Sequence, residues 1–185
     1  MDVLIFAAII LIALGMARRQ YERKRIALLA SYLGRFQIEK MMATLSDGYL
    51  RALGEDEPQR RQQVWEFLQP SEQTLAEQFD RFASAIAGAD EVDTRVSTLP
   101  MALPWADRLF PVASFDLRKA LAIHARGIRS AVQDYRHESA RDRAFRLSAE
   151  MFLMQHTCHW YCKSKSIASA RMWVRHKTRY EQLLS

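Results

Sequence analysis

Residues 3–25 read VLIFAAIILIALGMARRQYERKR, and this stretch decides how the chain is organised. Residues 3–17 carry no charge, whereas residues 18–25 carry five cations and a single anion, Glu22. An apolar run followed directly by basic residues is typical of a membrane-spanning helix whose basic end stays on the cytoplasmic side. The sequence therefore predicts one transmembrane helix in the cell (inner, cytoplasmic) membrane, with the N-terminus outside and the rest of the chain in the cytosol.

The apolar run is short for a membrane span. Counted from Met1 to Ala17 it would extend roughly 25 Å as a helix, against a hydrocarbon core of about 30 Å. Long basic side chains at its end can reach outward to the headgroups and recover part of the difference. We expect five basic residues to lie at the membrane surface against anionic lipid headgroups. They are Arg18, Arg19, Arg23, Lys24 and Arg25.

Two other interpretations of the apolar run stay open at this point. Gly15-Met16-Ala17 has the small-x-small pattern of a signal-peptide cleavage site, but a basic segment does not precede the run. A buried helix of a soluble protein would normally show a polar stripe, and residues 3–17 have none. A membrane anchor is the interpretation that the pattern favours.

Composition indicates an ordinary globular domain after the anchor. Of the 185 residues, 49% are hydrophobic and 26% are charged, and two are cysteine, which is too few for a disulfide framework. Residues 55–93 are acidic, with three cations and ten anions, between basic ends. We predict a transmembrane anchor with a basic juxtamembrane collar over residues 1–25 and a helical cytosolic domain over residues 26–185.

The apolar residues recur at three- and four-residue steps through most of the chain, which predicts an all-α fold. We expect the single N-terminal transmembrane helix to be followed by a compact cytosolic helical bundle. The pattern predicts one unbroken helix from Val3 to Leu53, closed by Gly54. It predicts a second helix beginning near Pro58, because proline is favoured in the first turn.

Further helix boundaries follow from capping residues. Gln69-Pro70-Ser71 is expected to end the second helix and to start a third, which Gly88 closes. Ser114 and Ser139 are expected to cap two more. Residues 144–162 are apolar on nearly every side, which predicts the central helix of the domain. The chain shows no strand-like alternation bounded by hairpin turns, so no sheet is expected.

Residues 89–113 form a proline-containing crossover that is unusually apolar for a loop. A long apolar segment of this kind is generally packed against something. It either covers the core of its own domain or forms a surface for a partner or the bilayer, and the sequence leaves both open. The predicted partner-binding residues are Leu103, Trp105, Leu109 and Phe110.

The sequence His156-Thr157-Cys158-His159-Trp160-Tyr161-Cys162 contains the one cluster of side chains that bind metals. A tetrahedral zinc site is the alternative use of His156, Cys158, His159 and Cys162. Adjacent residues of a regular helix do not easily share one ion, however, and a further ligand would have to come from His124 or His137. The favoured prediction is that these thiols and imidazoles are core residues, with no metal and no cofactor bound.

The short anchor, the basic collar and the apolar loop 99–112 motivate the predicted function, and the motifs that the sequence lacks argue against catalysis. The chain has no nucleophile elbow, phosphate-binding loop, zinc-protease motif or dinucleotide fingerprint, so we predict that it is not an enzyme. The basic, aromatic stretch 171–180 resembles a nucleic-acid surface in composition, but no binding module supports that, and we predict no nucleic-acid partner.

The predicted function is that of a non-enzymatic membrane-anchored accessory or scaffold subunit. It would present a helical protein-binding module at the cytosolic membrane face. Its partners would be a protein in or at the membrane and anionic lipid headgroups. The long first helix could also pair with a second copy, so the oligomeric state stays open. The alternative is a membrane-tethered metal- or redox-sensing protein that uses the cluster from His156 to Cys162.

Overall fold

The computed structural model describes the backbone of residues 2–101, 103–133 and 139–184, and the side chains of residues 3–101, 103–133 and 139–174. In chain order the elements are α1 (Asp2–Leu33), α2 (Ile38–Leu53), α3 (Pro58–Ala87), α4 (Glu91–Thr94), β1 (Arg95–Ser97), α5 (Ala106–Leu109), a 3₁₀ turn (Pro111–Ala113), β2 (Ser114–Asp116), α6 (Leu117–Gln133), α7 (Ala140–Cys162) and α8 (Lys165–Leu184).

The all-α prediction is confirmed, since the structure is 83% helical. Helix α1 is the one helix in the described part of the chain that is long and apolar enough to cross a membrane. Its 32 residues extend about 48 Å. None of its most apolar stretch is buried. The core-helix interpretation of residues 3–17 required burial, and it is wrong.

The chain forms two compact units. Unit 1 comprises Met1–Ser31, Asp90–Leu117 and His156–Ser185, and unit 2 comprises Tyr32–Ala89 and Arg118–Gln155. Helices α1 and α7 each contribute to both units. A single domain over residues 26–185 stays a prediction.

Unit 2 is built around the close approach of α2 and α3. A Cβ at Gly48 would lie 2.4 Å from the end of the Leu68 side chain, so a larger residue there would require that side chain to shift. The rings of Tyr49 and Trp65 lie 5.9 Å apart on the same pair of helices. Farther along α3, Phe79 and Phe82 are fully buried, and these apolar contacts form the core of the unit.

A buried ion pair crosses this core. Glu72 of α3 is completely buried, and its carboxylate accepts hydrogen bonds from the Tyr49 hydroxyl at 2.8 Å and from Arg143 Nε at 3.0 Å. Arg143 belongs to α7 and is also buried. Because an unpaired buried charge is costly, this pair constrains α7 to one position against α3.

Unit 1 contains a small antiparallel sheet that the sequence did not predict. Val96 of β1 pairs with Phe115 of β2, and the Phe115 ring lies 5.0 Å from that of Trp160 on α7. Trp160 Nε1 donates to the carbonyl of Ser97 at 2.8 Å. Each strand has three residues, which is too short for a recognisable alternation of apolar and polar positions.

Two helix predictions were wrong. The helix expected to run from Val3 to Leu53 stops at Leu33, and α2 begins at Ile38 after a tight turn in which Phe36 N donates to Leu33 O at 3.0 Å. Conversely, α3 continues through Pro70, where a break was expected. The missing hydrogen bond at proline is offset by burial of the same helix on either side, so tertiary packing overrides the local signal.

The predicted caps had mixed outcomes. Gly54 closes α2 by donating to Leu50 O at 3.0 Å, and Ser139 accepts from the backbone of Asp142 at 3.1 Å, so both predictions are confirmed. Ser71 lies inside α3, and Ser114 begins a strand, so those two predictions were wrong. Capping residues also occur in turns and strands, which is why the signal is ambiguous.

We expect unit 2 to be strongly destabilised when one member of its buried ion pair is removed. Glu72→Ala should lower the free energy of unfolding by about 3–5 kcal/mol, because it leaves Arg143 charged and buried without its partner. The measurement is urea denaturation in mild detergent followed by helical circular dichroism.

The matched control is Asp80→Ala, on the same helix. Asp80 accepts from Arg129 Nε at 2.8 Å, but both side chains are partly exposed. An exposed pair contributes less than about 1 kcal/mol. Equal losses in the two variants would contradict the importance assigned to the buried pair.

Candidate membrane-proximal site

One face of α1 joins the apolar segment to the rest of unit 1. Arg18, Glu22, Arg25 and Leu29 follow each other at three- and four-residue steps, which places them within an arc of about 60° on the helix. Glu22, Arg25 and Leu29 are buried. This face therefore packs against unit 1, whereas residues 3–16 of the same helix are exposed on all sides.

Arg25 is the centre of the site. Its guanidinium donates to the carbonyls of Tyr161, at 3.1 Å, and Arg95, and to the Tyr21 hydroxyl. It also lies 3.6 Å from the carboxylate of Asp107 in α5. The guanidinium therefore contacts three separate parts of unit 1 besides its own helix.

Asp107 completes the charge balance. Its side chain is 2% exposed, and its carboxylate accepts a hydrogen bond from the Tyr21 hydroxyl. The Arg25 guanidinium also stacks on two rings, 4.4 Å from the centre of Tyr21 and 4.9 Å from that of Tyr161. A charged pair that is desolvated in this way is stable only when hydrogen bonds satisfy both members.

Burial also affects Tyr161. Removal from water raises the pKa of its hydroxyl above the ordinary value, so the group is neutral at physiological pH. In that state it donates to the carbonyl of Asp93 at 2.9 Å. Tyr161 therefore acts as a structural hydrogen-bond donor between α7 and α4.

A second set of ion pairs, around Glu22, lies about one helical turn closer to the apolar segment. Glu22 accepts from Arg18 Nε at 3.0 Å and from Lys163 Nζ at 2.5 Å. Lys163 follows the end of α7, so this pair also connects α1 to the rest of unit 1. Arg18 is partly engaged in this contact and remains 45% exposed.

The crossover presents apolar side chains on its surface, which we call the apolar crest. Its six exposed members are Met101, Leu103, Trp105, Leu109, Phe110 and Val112. Ala106 and Asp107 of the same segment point inward and are buried. The segment is thus anchored by its middle and exposes large apolar groups on both sides of that point.

Trp105 has an unusual backbone. Its φ angle is 58°, the left-handed region that a bulky residue rarely adopts, and Trp105 is the one non-glycine residue with positive φ in the described chain. Its ring makes an edge contact with Tyr21 at a centroid distance of 6.5 Å. The surrounding contacts, above all those of Asp107, hold this strained conformation.

The predicted residues of the basic collar separate into two groups. Arg18, Arg19, Arg23 and Lys24 are exposed, so they remain candidates for contact with lipid headgroups, although Arg18 is also paired with Glu22. Arg25 is buried, which corrects the expectation that its side chain lies at the membrane surface. The physical reason is the carboxylate of Asp107, which no local sequence pattern links to α1.

The predicted partner-binding residues lie together in the structure. Leu103, Trp105, Leu109 and Phe110 all belong to the apolar crest, and between 46% and 69% of each is exposed. Of the two interpretations of the crossover, the structure shows a mixture, since its middle packs on unit 1 and its large apolar side chains remain exposed.

The alternative metal site gains no support from the geometry. Among the described residues, no three His, Cys, Asp or Glu side chains group closely enough to hold a metal ion. His156 contacts Ser169 Oγ at 3.2 Å, and His124 Nδ1 lies 3.6 Å from the Glu150 carboxylate. His137, the other proposed ligand, lies outside the described residues, as do the basic side chains after Val174.

The surroundings of the two thiols do not favour redox sensing. Cys158 is buried, and burial raises the pKa of the Cys162 thiol to about 11. Because the thiolate is the reactive form, a raised pKa lowers the reactive fraction of Cys162 at neutral pH. Burial and the charge of Lys165 likewise lower the pKa of His156, which favours its neutral imidazole.

Sequence reasoning did not identify three members of this site: Tyr21, Asp107 and Tyr161. Two weak signals were present. Tyr21 and Arg25 are four residues apart on α1, and Asp107 is the one acidic residue within the apolar stretch 99–112. An isolated acid in such surroundings needs a cation, but the sequence offers many cations and does not say which one.

Comparison of the chain with protein-family models, with curated proteins and with solved structures finds no match.

Loss of the Arg25 guanidinium should destabilise unit 1. Arg25→Ala leaves Asp107 buried without a cation, and we expect the free energy of unfolding to fall by about 3–5 kcal/mol. The crossover should also become sensitive to limited proteolysis, because Asp107 no longer holds its middle in place.

Arg23→Ala is the matched control, since it removes an exposed arginine from the same helix. Its effect should stay within about 0.5 kcal/mol. A crossover that stays protected from protease in Arg25→Ala would show that the Arg25–Asp107 pair does not position it.

Cys162 should resist alkylation in the folded protein. Its pKa of about 11, against 9.0 for a free thiol, lowers the thiolate fraction at pH 8 about a hundredfold. We expect iodoacetamide to modify Cys162 slowly in the native protein and rapidly after denaturation, as measured by mass spectrometry. Rapid modification at pH 8 without unfolding would favour the redox-sensing alternative.

Proposed function

We propose that this chain is a non-enzymatic accessory or scaffold protein that a single membrane helix holds at the cytosolic face of the cell membrane. The carrying observation is the continuity of α1. One helix contains both the exposed apolar segment and the buried residues Glu22, Arg25 and Leu29. A rigid helix with these contacts keeps unit 1 at a fixed distance from the membrane, unlike a flexible linker.

The same continuity argues against a cleaved signal peptide. A cut after Ala17 would fall inside α1, only a few residues before the ion pairs of Glu22 and Arg25. Signal peptides are removed at accessible, extended segments that precede the mature fold. Retention of the helix as an anchor agrees better with its packing in unit 1.

The proposed orientation places the N-terminus outside and both units in the cytosol. It rests on the distribution of charge, because Arg19, Arg23 and Lys24 are exposed directly after the apolar segment. Anionic headgroups attract basic residues at this position by about 1 kcal/mol each. The apolar crest remains a predicted contact surface, for a partner or for the bilayer.

The partner of the proposed scaffold is a protein in or at the membrane. No catalytic constellation competes with this role in the described residues, and the thiols and imidazoles of α7 have structural surroundings. The metal- and redox-sensing alternative has no specific observation in its favour among the described residues.

The test is purification of the full-length protein from membranes in mild detergent. We expect it to resist extraction by alkaline carbonate, to begin at its original N-terminus, and to bring a stoichiometric protein partner with it. Deletion of residues 3–17 should release the protein from the membrane fraction and reduce recovery of the partner.

Three results would count against the proposal. A mature protein that begins at Arg18 would identify a signal peptide. A protein recovered alone under several mild detergents would contradict the scaffold role. In spheroplasts we expect the C-terminus to be protected from added protease. Cleavage of the C-terminus there would show that the orientation is opposite to the one proposed.

A further inference from the structure

The apolar crest lies beside the end of the proposed membrane segment. Arg18 and Tyr21 of α1 line a crevice together with Leu99, Met101 and Leu103 of the crossover. Arg18 is the first residue after the apolar run. The crossover therefore reaches the level at which α1 would leave the hydrocarbon.

The depth of Trp105 follows from helix geometry. Tyr21 comes four residues after Ala17, a rise of about 6 Å along α1. The Trp105 ring lies 6.5 Å from the Tyr21 ring. The polar layer on each side of a bilayer is about 5–7 Å thick, so a helix that spans the membrane along its normal places Tyr21 in this layer and Trp105 within one ring contact of it.

The short apolar run also affects how close the crest lies to the hydrocarbon. Residues 1–17 extend roughly 25 Å, less than the hydrocarbon thickness of about 30 Å. The bilayer has to thin locally or cover the first residues after the run. Covering the first residues after the run moves the lipid boundary towards the crest, whereas local thinning keeps it at Ala17.

The side chains of the crest have the chemistry of an interfacial element. Tryptophan concentrates at membrane–water interfaces, and phenylalanine, leucine and methionine enter the boundary between headgroups and acyl chains. Asp107, the acid that lipid would repel, is buried against Arg25. Among the described residues from 99 to 112, Arg108 is the one exposed charge, and its sign suits anionic headgroups.

From these observations we propose that the apolar crest inserts into the headgroup–acyl boundary of the phospholipid leaflet around α1. This inference rests on the proposed membrane anchoring and names the lipid bilayer, not a protein, as what covers Trp105 and its neighbours. The Arg25–Asp107 pair then joins two membrane contacts, the spanning helix and the inserted crest. A protein partner would bind elsewhere on the chain.

The test uses the full-length protein reconstituted into vesicles of phosphatidylcholine and phosphatidylglycerol. Phosphatidylcholine brominated near the carbonyl end of its acyl chains quenches tryptophan only on contact with that region. We expect strong quenching in the wild type and loss of most of it in Trp105→Leu. Lipid brominated near the chain ends should quench Trp105 less.

Two further variants make the result specific. Trp173→Leu removes another exposed tryptophan of unit 1, and it should retain the quenching that brominated lipid produces. Val112→Trp adds a probe to the crest at a position that is 100% exposed, so the substitution disturbs no packing. We expect it to increase quenching by lipid and to leave access to aqueous acrylamide largely unchanged.

The remaining outcomes overturn the proposal in different ways. If acrylamide quenches Trp105 and brominated lipid does not, the side chain lies in water. If neither acrylamide nor brominated lipid quenches Trp105, and a copurified protein is lost in Trp105→Leu, a protein occupies the crest. Failure of the wild type to float with the vesicles would contradict the membrane anchor itself, and the proposal about the crest with it.

Discussion

Arg25 is buried on the one described helix that can cross a membrane, and its charge has to be neutralised there. The carboxylate of Asp107 does so, while Tyr21 and Tyr161 surround the guanidinium. Much of unit 1 depends on this requirement, because β1, α5 and α7 each provide a group that contacts Arg25 or its partners. The ion pair thus sets where the crossover lies along α1.

The two units use the same physical device for different purposes. In unit 2, Glu72 and Arg143 form a buried pair that connects two helices of the core. In unit 1, Arg25 and Asp107 connect a helix to an irregular segment. Buried ion pairs add little net stability compared with apolar packing, but they tolerate few alternative arrangements. In each unit the pair therefore selects one packing out of several that apolar contacts alone would allow.

The crossover is an ordered segment although it contains no long helix or strand. Its middle is held by the buried residues Ala106 and Asp107, and Trp105 accepts a left-handed backbone as a consequence. The large apolar side chains next to these residues cannot then turn inward. Their exposure follows from the way in which the segment is anchored, and the proposed contact with lipid would remove these side chains from water.

The sequence by itself determined the helical class, the apolar segment and several boundaries, because these depend on local periodicity and on capping residues such as Gly54 and Ser139. It also drew attention to the apolar side chains of the crossover, since proline and apolar side chains rarely occur together in an ordinary loop, but the structure was needed to show which of them are exposed. Only the tertiary structure decided that α3 continues through Pro70 and that α1 ends at Leu33, because packing outweighs local preference at these points. The pairing of Arg25 with Asp107 likewise required the fold, since the two residues lie 82 positions apart and no local pattern links Asp107 to one particular cation of residues 18–25.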